Sequence, residues 1–514
     1  MDTLFAILLC LLGALAVSLV LHRIDAKAHR FRPLDPLIDG LPLGTTASSY
    51  LLFVALTGRP GLAMALMWGG AGLLDILNRL KLRFFREPIL FLDLTLASQI
   101  IHYPHFYMPY LFPPQVFWAG GLAVATLASL WIGSTPVWAG WRIACALALA
   151  GLAVAAWYRL GRLFLPRHQQ AALALLDRVQ PSFVPLLDFR HLGVLGAAYV
   201  HALWHVQARS RDGRPGIPSL SQARRTTRHH QPSADTPHLV LVQAESFCDI
   251  RRHIPGLSAD ILCETDKLRA QGQTGQLLVP THGAYTMRTE FSVLTGLSPG
   301  QLGSDAFNPY CTAARTPVWS LAWALREAGY RTLCLHPFHP TFFERHRVMP
   351  NLGFDTFHSL AAFAQAPHCG PYVCDAALGQ TILEEVRASR QPLFVFAITI
   401  EAHGPWKGDR FGPVPDATDL PQGECATYLW HLRHMDRLFG ALSRGVGALE
   451  RPVVLAGYGD HIPCLAGVGD PTLPDPTATD WFVWRSDARQ ARTPQNLRPE
   501  QLHDTLWHTI DATD

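Results

Sequence analysis

Apolar residues are unevenly distributed along this chain of 514 residues. The amino-terminal third contains long uncharged apolar runs, whereas beyond residue 238 short β-branched runs are interspersed with amphipathic segments. Long runs are typical of membrane-spanning helices, and short buried runs alternating with helices are typical of an α/β sheet. The pattern predicts an α-helical membrane domain over 1–158, a connector and linker over 159–237, and an α/β domain over 238–514.

Five apolar segments predict about five transmembrane helices. They are residues 3–21, 46–57, 61–77, 115–132 and 138–157. The break at Gly58, Arg59 and Pro60 predicts two short spans there instead of one long helix, because proline interrupts a helix. We expect the first run to be a retained span and not a cleaved signal peptide, since no basic residue precedes it and no small-residue cleavage site follows it.

The charges between these spans bear on orientation. Residues 78–94 are basic and amphipathic, which predicts a helix at the level of the lipid headgroups. With five spans, an external carboxyl-terminal domain leaves basic clusters at 23–32 and 79–86 in outer loops. The positive-inside rule favours the opposite orientation.

Two predicted strands lead into residues that bind metal ions. The run at 453–459 continues into Asp460 and His461, and the run at 239–244 continues into Glu245. The carboxyl ends of parallel strands share one edge of an α/β sheet, where such folds place their chemistry. Carboxylate and imidazole groups are ordinary metal ligands. An Asp-His pair after a strand is nevertheless more often a helix cap or a buried pair than a set of metal ligands. The prediction of a metal site therefore depends on the motifs between the two strands.

A hydroxyl-rich segment precedes a predicted helix. Residues 281–296 contain four Thr residues and Ser292 around Glu290. A hydroxyl at a helix start lies in positive potential and near free amide donors, where a nucleophile and a phosphate are both stabilised. An ordinary capping cluster explains the same residues equally well.

Five motifs in this order resemble the lipoteichoic acid synthase branch of the alkaline phosphatase and sulfatase superfamily. They are Glu245, the Thr-rich segment, residues 335–345, residues 398–406 and the final Gly-Asp-His, within roughly 238–485. The resemblance implies a sulfatase-like α/β/α domain that binds one divalent cation, typically manganese, with zinc and magnesium as alternatives. The ligands it implies are Glu245, Thr286, Asp460 and His461. Thr286 matches the nucleophile because a Glu-Phe step follows four positions later.

The same resemblance implies a substrate-binding set. It consists of His336, Phe343, Arg345 and His403. A Trp is usual at the position of Phe343, so an indole donor is missing there. Arg345 is suited to a bidentate grip on phosphate. Ordinary alternatives are a surface or core role for any of the 24 His residues, a solvated face for the charge run at 344–347, and a simple turn at His403.

The implied reaction is a two-stage transfer. A Thr hydroxyl is too weakly acidic to attack phosphorus unless a divalent metal lowers its pKa. Attack would leave a phosphate ester on Thr286, His403 or His336 would protonate the leaving oxygen or hold the phosphate, and an acceptor alcohol would reverse the step. The implied function is a membrane-bound, metal-dependent transferase that moves phosphoglycerol, or a similar phospho-alcohol, from a phospholipid to a cell-envelope glycan.

Three other functions remain open: phosphoethanolamine transfer, hydrolysis of sulfate or phosphate esters, and an inactive scaffold that binds glycan or lipid. Formylglycine sulfatases require a Cys-x-Pro-x-Arg sequence, and residues 281–296 contain no Cys. The expected partners are a membrane phospholipid donor, a glycan acceptor and the bilayer. A net charge of +3 does not favour nucleic acid, and the oligomeric state is left open.

The resemblance implies a multi-pass protein of the bacterial cytoplasmic (inner) membrane, with its catalytic domain in the periplasm or outside the cell. Eight of the ten Cys residues lie in the later domain, and an even number suits disulfides in an oxidising compartment. The spacing of Cys369 and Cys374 permits a local bridge. Basic residues are nearly all Arg, which favours relatives from Gram-negative bacteria that modify surface glycans.

Overall fold

The apolar runs form long helices and the β-branched runs form a sheet in the computed structural model of the chain. The structure describes residues 2–25, 40–93, 126–132, 150–155, 161–209, 236–412, 421–470, 475–488 and 492–511, with a few isolated residues between 102 and 220. The chain divides into two units, Met1–Arg214 and Pro215–Asp514.

Helices make up the described part of the first unit. They are α1 (Asp2–Asp25), α2 (Gly40–Thr57), α3 (Pro60–Phe85), α4 (Gln169–Val179) and α5 (Pro185–Arg209), with further helical residues at 126–132 and 150–155. Buried apolar side chains join α1, α2 and α3 in one cluster, and the Tyr50 hydroxyl donates to the backbone oxygen of Ile7 at 3.1 Å. Gly58 and Arg59 separate α2 from α3, as the proline at position 60 predicts.

One helix in the described part of the chain, Pro60–Phe85, is long and apolar enough by length and composition to cross a membrane. At about 1.5 Å per residue it extends about 39 Å. The predicted spans at 115–132 and 138–157 lie largely outside the described residues. Residues 78–85 belong to the same helix as the apolar residues before them, and their position at the lipid headgroups stays a prediction. They continue α3, which ends at Arg86 in the left-handed conformation.

The predicted connector is helical at its start. Helices α4 and α5 pack against each other through buried apolar residues that include Leu176 and Leu203. The Asp188 carboxylate binds the ring of His201 at 2.6 Å, and it also accepts from the backbone N–H of Ser182 at 2.8 Å. The Pro-, Gly- and Arg-rich stretch that follows, 209–237, lies largely outside the described residues.

A mixed sheet of seven strands organises the second unit. The strands in the described residues are β1 (His238–Ala244), β2 (Gln273–Leu277), β3 (Arg331–Leu335), β4 (Thr356–His358), β5 (His368–Cys369), β6 (Tyr372–Val373), β7 (Leu393–Ile398), β8 (Val453–Gly459) and β9 (Thr479–Arg485). The sheet has the order β2-β9-β8-β1-β7-β3-β4, and β5 and β6 pair separately. Strands β8, β1, β7, β3 and β4 are parallel, whereas β9 is antiparallel to both of its neighbours.

Helices connect these strands. They are α6 (Cys263–Gln271), α7 (Thr286–Thr295), α8 (Pro299–Leu302), α9 (Leu321–Glu327), α10 (Arg345–Asn351), α11 (Asp375–Ala388), α12 (Gly408–Phe411), α13 (Glu424–Val446) and α14 (Pro499–Asp511). Every residue of β1, β7 and β8 is buried. Continuous burial is characteristic of parallel strands whose sheet is covered on both faces.

The central strands end together. Ala244 of β1 pairs with Gly459 of β8, and Gln243 of β1 pairs with Ile398 of β7. The residues that directly follow these strands therefore meet at one edge of the sheet. The prediction of two parallel strands that deliver Glu245 and Asp460 to one edge is confirmed.

Candidate metal centre and active site

Three buried side chains suited to binding a metal ion meet at this edge. One oxygen each of Glu245 and Asp460 and one ring nitrogen of His461 all lie within 4.8 Å of one another. Nε2 of His461 is 3.5 Å from Oε1 of Glu245 and 3.4 Å from Oδ2 of Asp460. Nδ1 of His461 lies 3.1 Å from the backbone oxygen of Ile462, which directs Nε2 toward the carboxylates.

Backbone hydrogen bonds hold only the Oδ1 side of the Asp460 carboxylate, while Oδ2 lies 3.4 Å from Nε2 of His461. Its Oδ1 accepts from the backbone N–H groups of Ser246 and His461, both at 2.9 Å. Its Oδ2 is buried and accepts no hydrogen bond of normal length from the described residues. A buried carboxylate oxygen without a donor is costly unless a cation balances it. The donor set of two carboxylates and one imidazole therefore fits a divalent cation.

The electrostatics of the cluster agree with this fit. Burial raises the pKa of Asp460 to about 6, and the neighbouring Glu245 carboxylate raises it too. Burial also raises the pKa of Glu245. The charge of His461 and, to a smaller extent, that of Arg345 lower it. Burial disfavours the imidazolium of His461, yet the two carboxylates raise the pKa of this ring. Negative charge is thus concentrated in a buried space that a cation would stabilise.

The first residue of α7 brings a hydroxyl to this cluster. Thr286 is only 7% exposed, and its hydroxyl is near enough to the Asp460 carboxylate to lower the pKa of that group. The hydroxyl of Thr289, one turn further along α7, donates to the backbone oxygen of Asp460 at 2.8 Å. Thr289 thus has a backbone partner, whereas the Thr286 hydroxyl lies beside the Asp460 carboxylate.

The predicted substrate-binding residues His336 and Arg345 lie close together and bind each other. Nη1 of Arg345 is 3.3 Å from Nε2 of His336, whose Nδ1 is 3.1 Å from the backbone oxygen of Ile398. Burial and the charge of Arg345 hold the pKa of His336 well below its usual range. A neutral His336 that donates through Nδ1 accepts from Arg345 through Nε2. This arrangement leaves His336 no ring proton for a leaving group, contrary to one of its predicted roles.

Arg345, which is predicted to bind phosphate with two N–H groups, already binds other side chains of the protein. Its Nε and Nη2 bind the Glu290 carboxylate at 3.3 and 2.7 Å, and both side chains are buried. The bidentate edge of the guanidinium therefore grips Glu290 and not phosphate. The half-buried Phe343 ring lies 5.3 Å from Cζ of Arg345, within the range of a cation–π contact. Any phosphate would have to use the remaining N–H bonds of Nη1 and Nη2.

His403 lies near the metal ligands. Burial lowers the pKa of His403 to about 4, and the charge of His461 contributes in the same direction. Nδ1 of His403 is 2.8 Å from the backbone oxygen of Gly404. With Nδ1 donating to that oxygen, the lone pair of the neutral ring is on Nε2, and the lowered pKa makes this nitrogen a weak base.

Sequence reasoning missed a second polar cluster beside β7. The Glu401 carboxylate binds Nδ1 of His431 at 2.9 Å and Nδ1 of His434 at 2.6 Å. Cys369, Glu401 and His434 have the spacing of a metal site, but Cys369 is bonded to Cys374. The local disulfide permitted by the sequence is thus present, whereas the other cysteines of the later domain are free thiols. The sequence signal for the Glu401 cluster was the pair of His residues three positions apart on one predicted helix.

Comparisons with known proteins agree with this geometry. Residues 237–512 match the family model described as Sulfatase. The capsular polysaccharide biosynthesis protein RkpI of Rhizobium meliloti is 32% identical over 441 residues, covering 84% of this chain and 78% of RkpI.

One solved structure shows a related fold, and a second is similar over the later part of the chain. The lipooligosaccharide phosphoethanolamine transferase A of Neisseria meningitidis superposes with a TM-score of 0.57 at 14% identity, covering 98% of this chain and 95% of that protein. The Streptococcus pyogenes phosphoglycerol transferase GacH, solved with sn-glycerol-1-phosphate, superposes with a TM-score of 0.48 at 19% identity, covering 55% of this chain and 77% of that one. The superfamily predicted from the motifs is confirmed by the family match.

Proposed function

We propose that this chain, which belongs to the sulfatase family, is a metal-dependent phosphotransferase. It would move phosphoglycerol from a membrane phospholipid to a cell-envelope glycan through a phosphate ester on Thr286. The position of the Thr286 hydroxyl at the start of α7, beside the Asp460 carboxylate, is the observation that carries this proposal. A hydrolase needs only water as the acceptor, so the glycan acceptor rests on similarity to a protein of capsular polysaccharide biosynthesis.

Each residue would have a defined task. Glu245, Asp460, His461 and the Thr286 hydroxyl would hold one divalent cation, with manganese as the first choice and zinc or magnesium as alternatives. Such a cation lowers the pKa of a bound hydroxyl and stabilises charge on phosphoryl oxygens. The positive potential at the start of α7 favours an anion at the same place.

The transfer would then proceed in two halves. In the first half, the Thr286 oxygen attacks phosphorus while its proton passes to Nε2 of His403; the bond to the diacylglycerol oxygen breaks, and His403 returns the proton to that oxygen. Arg345 binds a phosphoryl oxygen through the N–H bonds that Glu290 and His336 leave. In the second half, a glycan hydroxyl gives its proton to Nε2 of neutral His403 and attacks phosphorus; the bond to the Thr286 oxygen breaks, and His403 gives the proton to that oxygen.

A phosphoethanolamine transferase is the second candidate, because the same residues serve either headgroup and the fold resembles such an enzyme over the whole chain. Both candidates place the protein in the bacterial inner membrane with the catalytic domain in the periplasm or outside the cell. The apolar helix Pro60–Phe85 supports membrane attachment.

Mass spectrometry of the full chain with manganese and phosphatidylglycerol tests the proposal. We expect a glycerol phosphate adduct on the peptide that contains Thr286 and none in Thr286→Ala. Thr289→Val is the matched control, since it removes a hydroxyl from the same helix that binds only a backbone oxygen, and it should keep the adduct. An adduct from phosphatidylethanolamine alone would favour the second candidate. No adduct from either lipid would contradict both.

A further inference from the structure

Two layers of polar side chains lie at the carboxyl edge of the sheet, one below the other. Three elements contribute one residue to each layer. The pairs are Glu245, directly after β1, with Gln243 of β1; Asp460, directly after β8, with Tyr458 of β8; and Thr286 with Glu290 of α7. Residues two apart on a strand share a face, as do residues four apart on a helix. The spacing that brings the metal ligands together therefore also brings the second member of each pair together.

Glu290 is the centre of the lower layer. Its Oε2 accepts from Nε2 of Gln243 at 3.0 Å and from Nη2 of Arg345 at 2.7 Å. Its Oε1 accepts from the Tyr310 hydroxyl and from Nε of Arg345 at 3.3 Å. The Tyr458 hydroxyl in turn donates to Oε1 of Gln243. Glu290 is 0% exposed and Arg345 1%, so water does not share these bonds.

These contacts fix the direction of the Arg345 guanidinium. Glu290 holds one edge of it, and Nη1 on the opposite side lies 3.3 Å from Nε2 of His336. The Phe343 ring limits movement out of the plane. A planar guanidinium held at an edge and a face presents its remaining N–H bonds in one direction only.

We propose that Glu290 is a positioning residue for the transfer: it acts through Arg345, so that a single turn of α7 sets both the nucleophile and the phosphate-binding group. This inference rests on the proposed function of Thr286 and Arg345. The plain alternative is a buried ion pair that contributes only to folding. The two differ in whether the effect of Glu290 on the reaction depends on Arg345.

A double-mutant cycle separates them. Glu290→Gln, Arg345→Met and the combined variant would be compared for the rate of adduct formation on Thr286, the affinity for inorganic phosphate and the thermal midpoint. We expect Glu290→Gln to slow adduct formation about hundredfold where Arg345 is present. In the Arg345→Met background it should add no further slowing, because the group that it positions is gone.

Three variants control for stability. The combined variant contains no unpaired buried charge. Glu290→Asp keeps the charge but shortens the side chain by one methylene group, so this variant tests positioning if Glu290→Gln does not fold. Asp436→Asn is the matched control: this buried carboxylate accepts from the backbone N–H groups of Glu264 and Thr265 at 3.0 and 2.8 Å. It should lower the thermal midpoint and leave the rate of the folded protein unchanged.

Equal slowing by Glu290→Gln in both Arg345 backgrounds, or a lower thermal midpoint with a normal rate, would overturn the proposal. Should the unaltered protein form no adduct, the proposed function fails and the affinity for inorganic phosphate decides about Glu290. The positioning role is supported if Glu290→Gln weakens phosphate binding when Arg345 is present and has no effect on this binding in the Arg345→Met background. Independent effects of the two substitutions on that affinity contradict it.

Discussion

The glycine directly before Asp460 offers a sharp test of how the strand edge builds the metal centre. Gly459 is the last residue of β8 and pairs with Ala244 of β1. A Cβ added at Gly459 would lie 1.8 Å from the backbone oxygen of Phe247, and real Cβ contacts are essentially never closer than 3.0 Å. Gly459→Ala must therefore separate these two backbones by at least 1.2 Å, the difference between 3.0 and 1.8 Å.

The displacement falls on the metal ligands, because Glu245 and Asp460 are the residues that follow the separated strand ends. A misplacement of about 1 Å in an active site costs roughly a hundredfold in rate. Forcing extra atoms into a packed interior costs about 1–3 kcal/mol in the free energy of unfolding. We therefore expect Gly459→Ala to lose bound metal and to slow adduct formation about hundredfold, with a destabilisation of this size.

A matched control lies two residues earlier in the same strand. A Cβ at Gly457 would meet the rings of Phe482 and Phe439 at 2.6 and 2.8 Å, within the apolar core. Gly457→Ala should destabilise the protein by a similar amount and keep its metal and its rate per folded molecule. Metal content by mass spectrometry, adduct formation and urea unfolding measure the three quantities. Stoichiometric metal and a normal rate in Gly459→Ala, or an equal loss in Gly457→Ala, would refute the reasoning.

Two further predictions concern the metal and pH. Added Mn²⁺ should raise the free energy of unfolding by about 2.7 kcal/mol at about 100 times its dissociation constant, and Asp460→Asn should abolish this gain; a gain that survives would place the ion elsewhere. Burial, aided by Arg451, lowers the pKa of His238 from 6.5 to about 4. Only the unfolded state binds this proton between those pH values, so stability should fall as pH drops from 6.5 to 4, by up to about 3 kcal/mol. His238→Asn keeps an acceptor for the backbone N–H of Leu393 and should flatten the pH dependence of unfolding; an unchanged slope would contradict the assignment.

Much of the metal centre follows from local patterns. Apolar β-branched runs that end in Glu245 and in Asp460 and His461 predict buried strands with ligands at their ends, and parallel pairing brings those ends together. The hydroxyl of Thr286 at a helix start is local as well. Each of these features depends on the period of a strand or a helix, which can be read from neighbouring residues.

The first unit shows what a charge pattern leaves unspecified. The charges of residues 78–85 predict a position at the lipid headgroups but mark no helix boundary, and helix α3 continues through them because nothing in that stretch interrupts the backbone hydrogen bonds before Arg86. The break at Pro60, in contrast, was predictable, since proline removes a backbone donor.

The partners of the polar side chains depend on the folded chain. Glu290 looks like a motif residue and Arg345 like a free phosphate ligand, but 55 positions of sequence separate them and they bind each other in the interior. The same holds for Glu401 and the two His residues of α13. The periods of strands and helices determine which side chains share a face. The packing of the elements determines which polar groups become partners in the interior, where every unpaired charge or donor is costly.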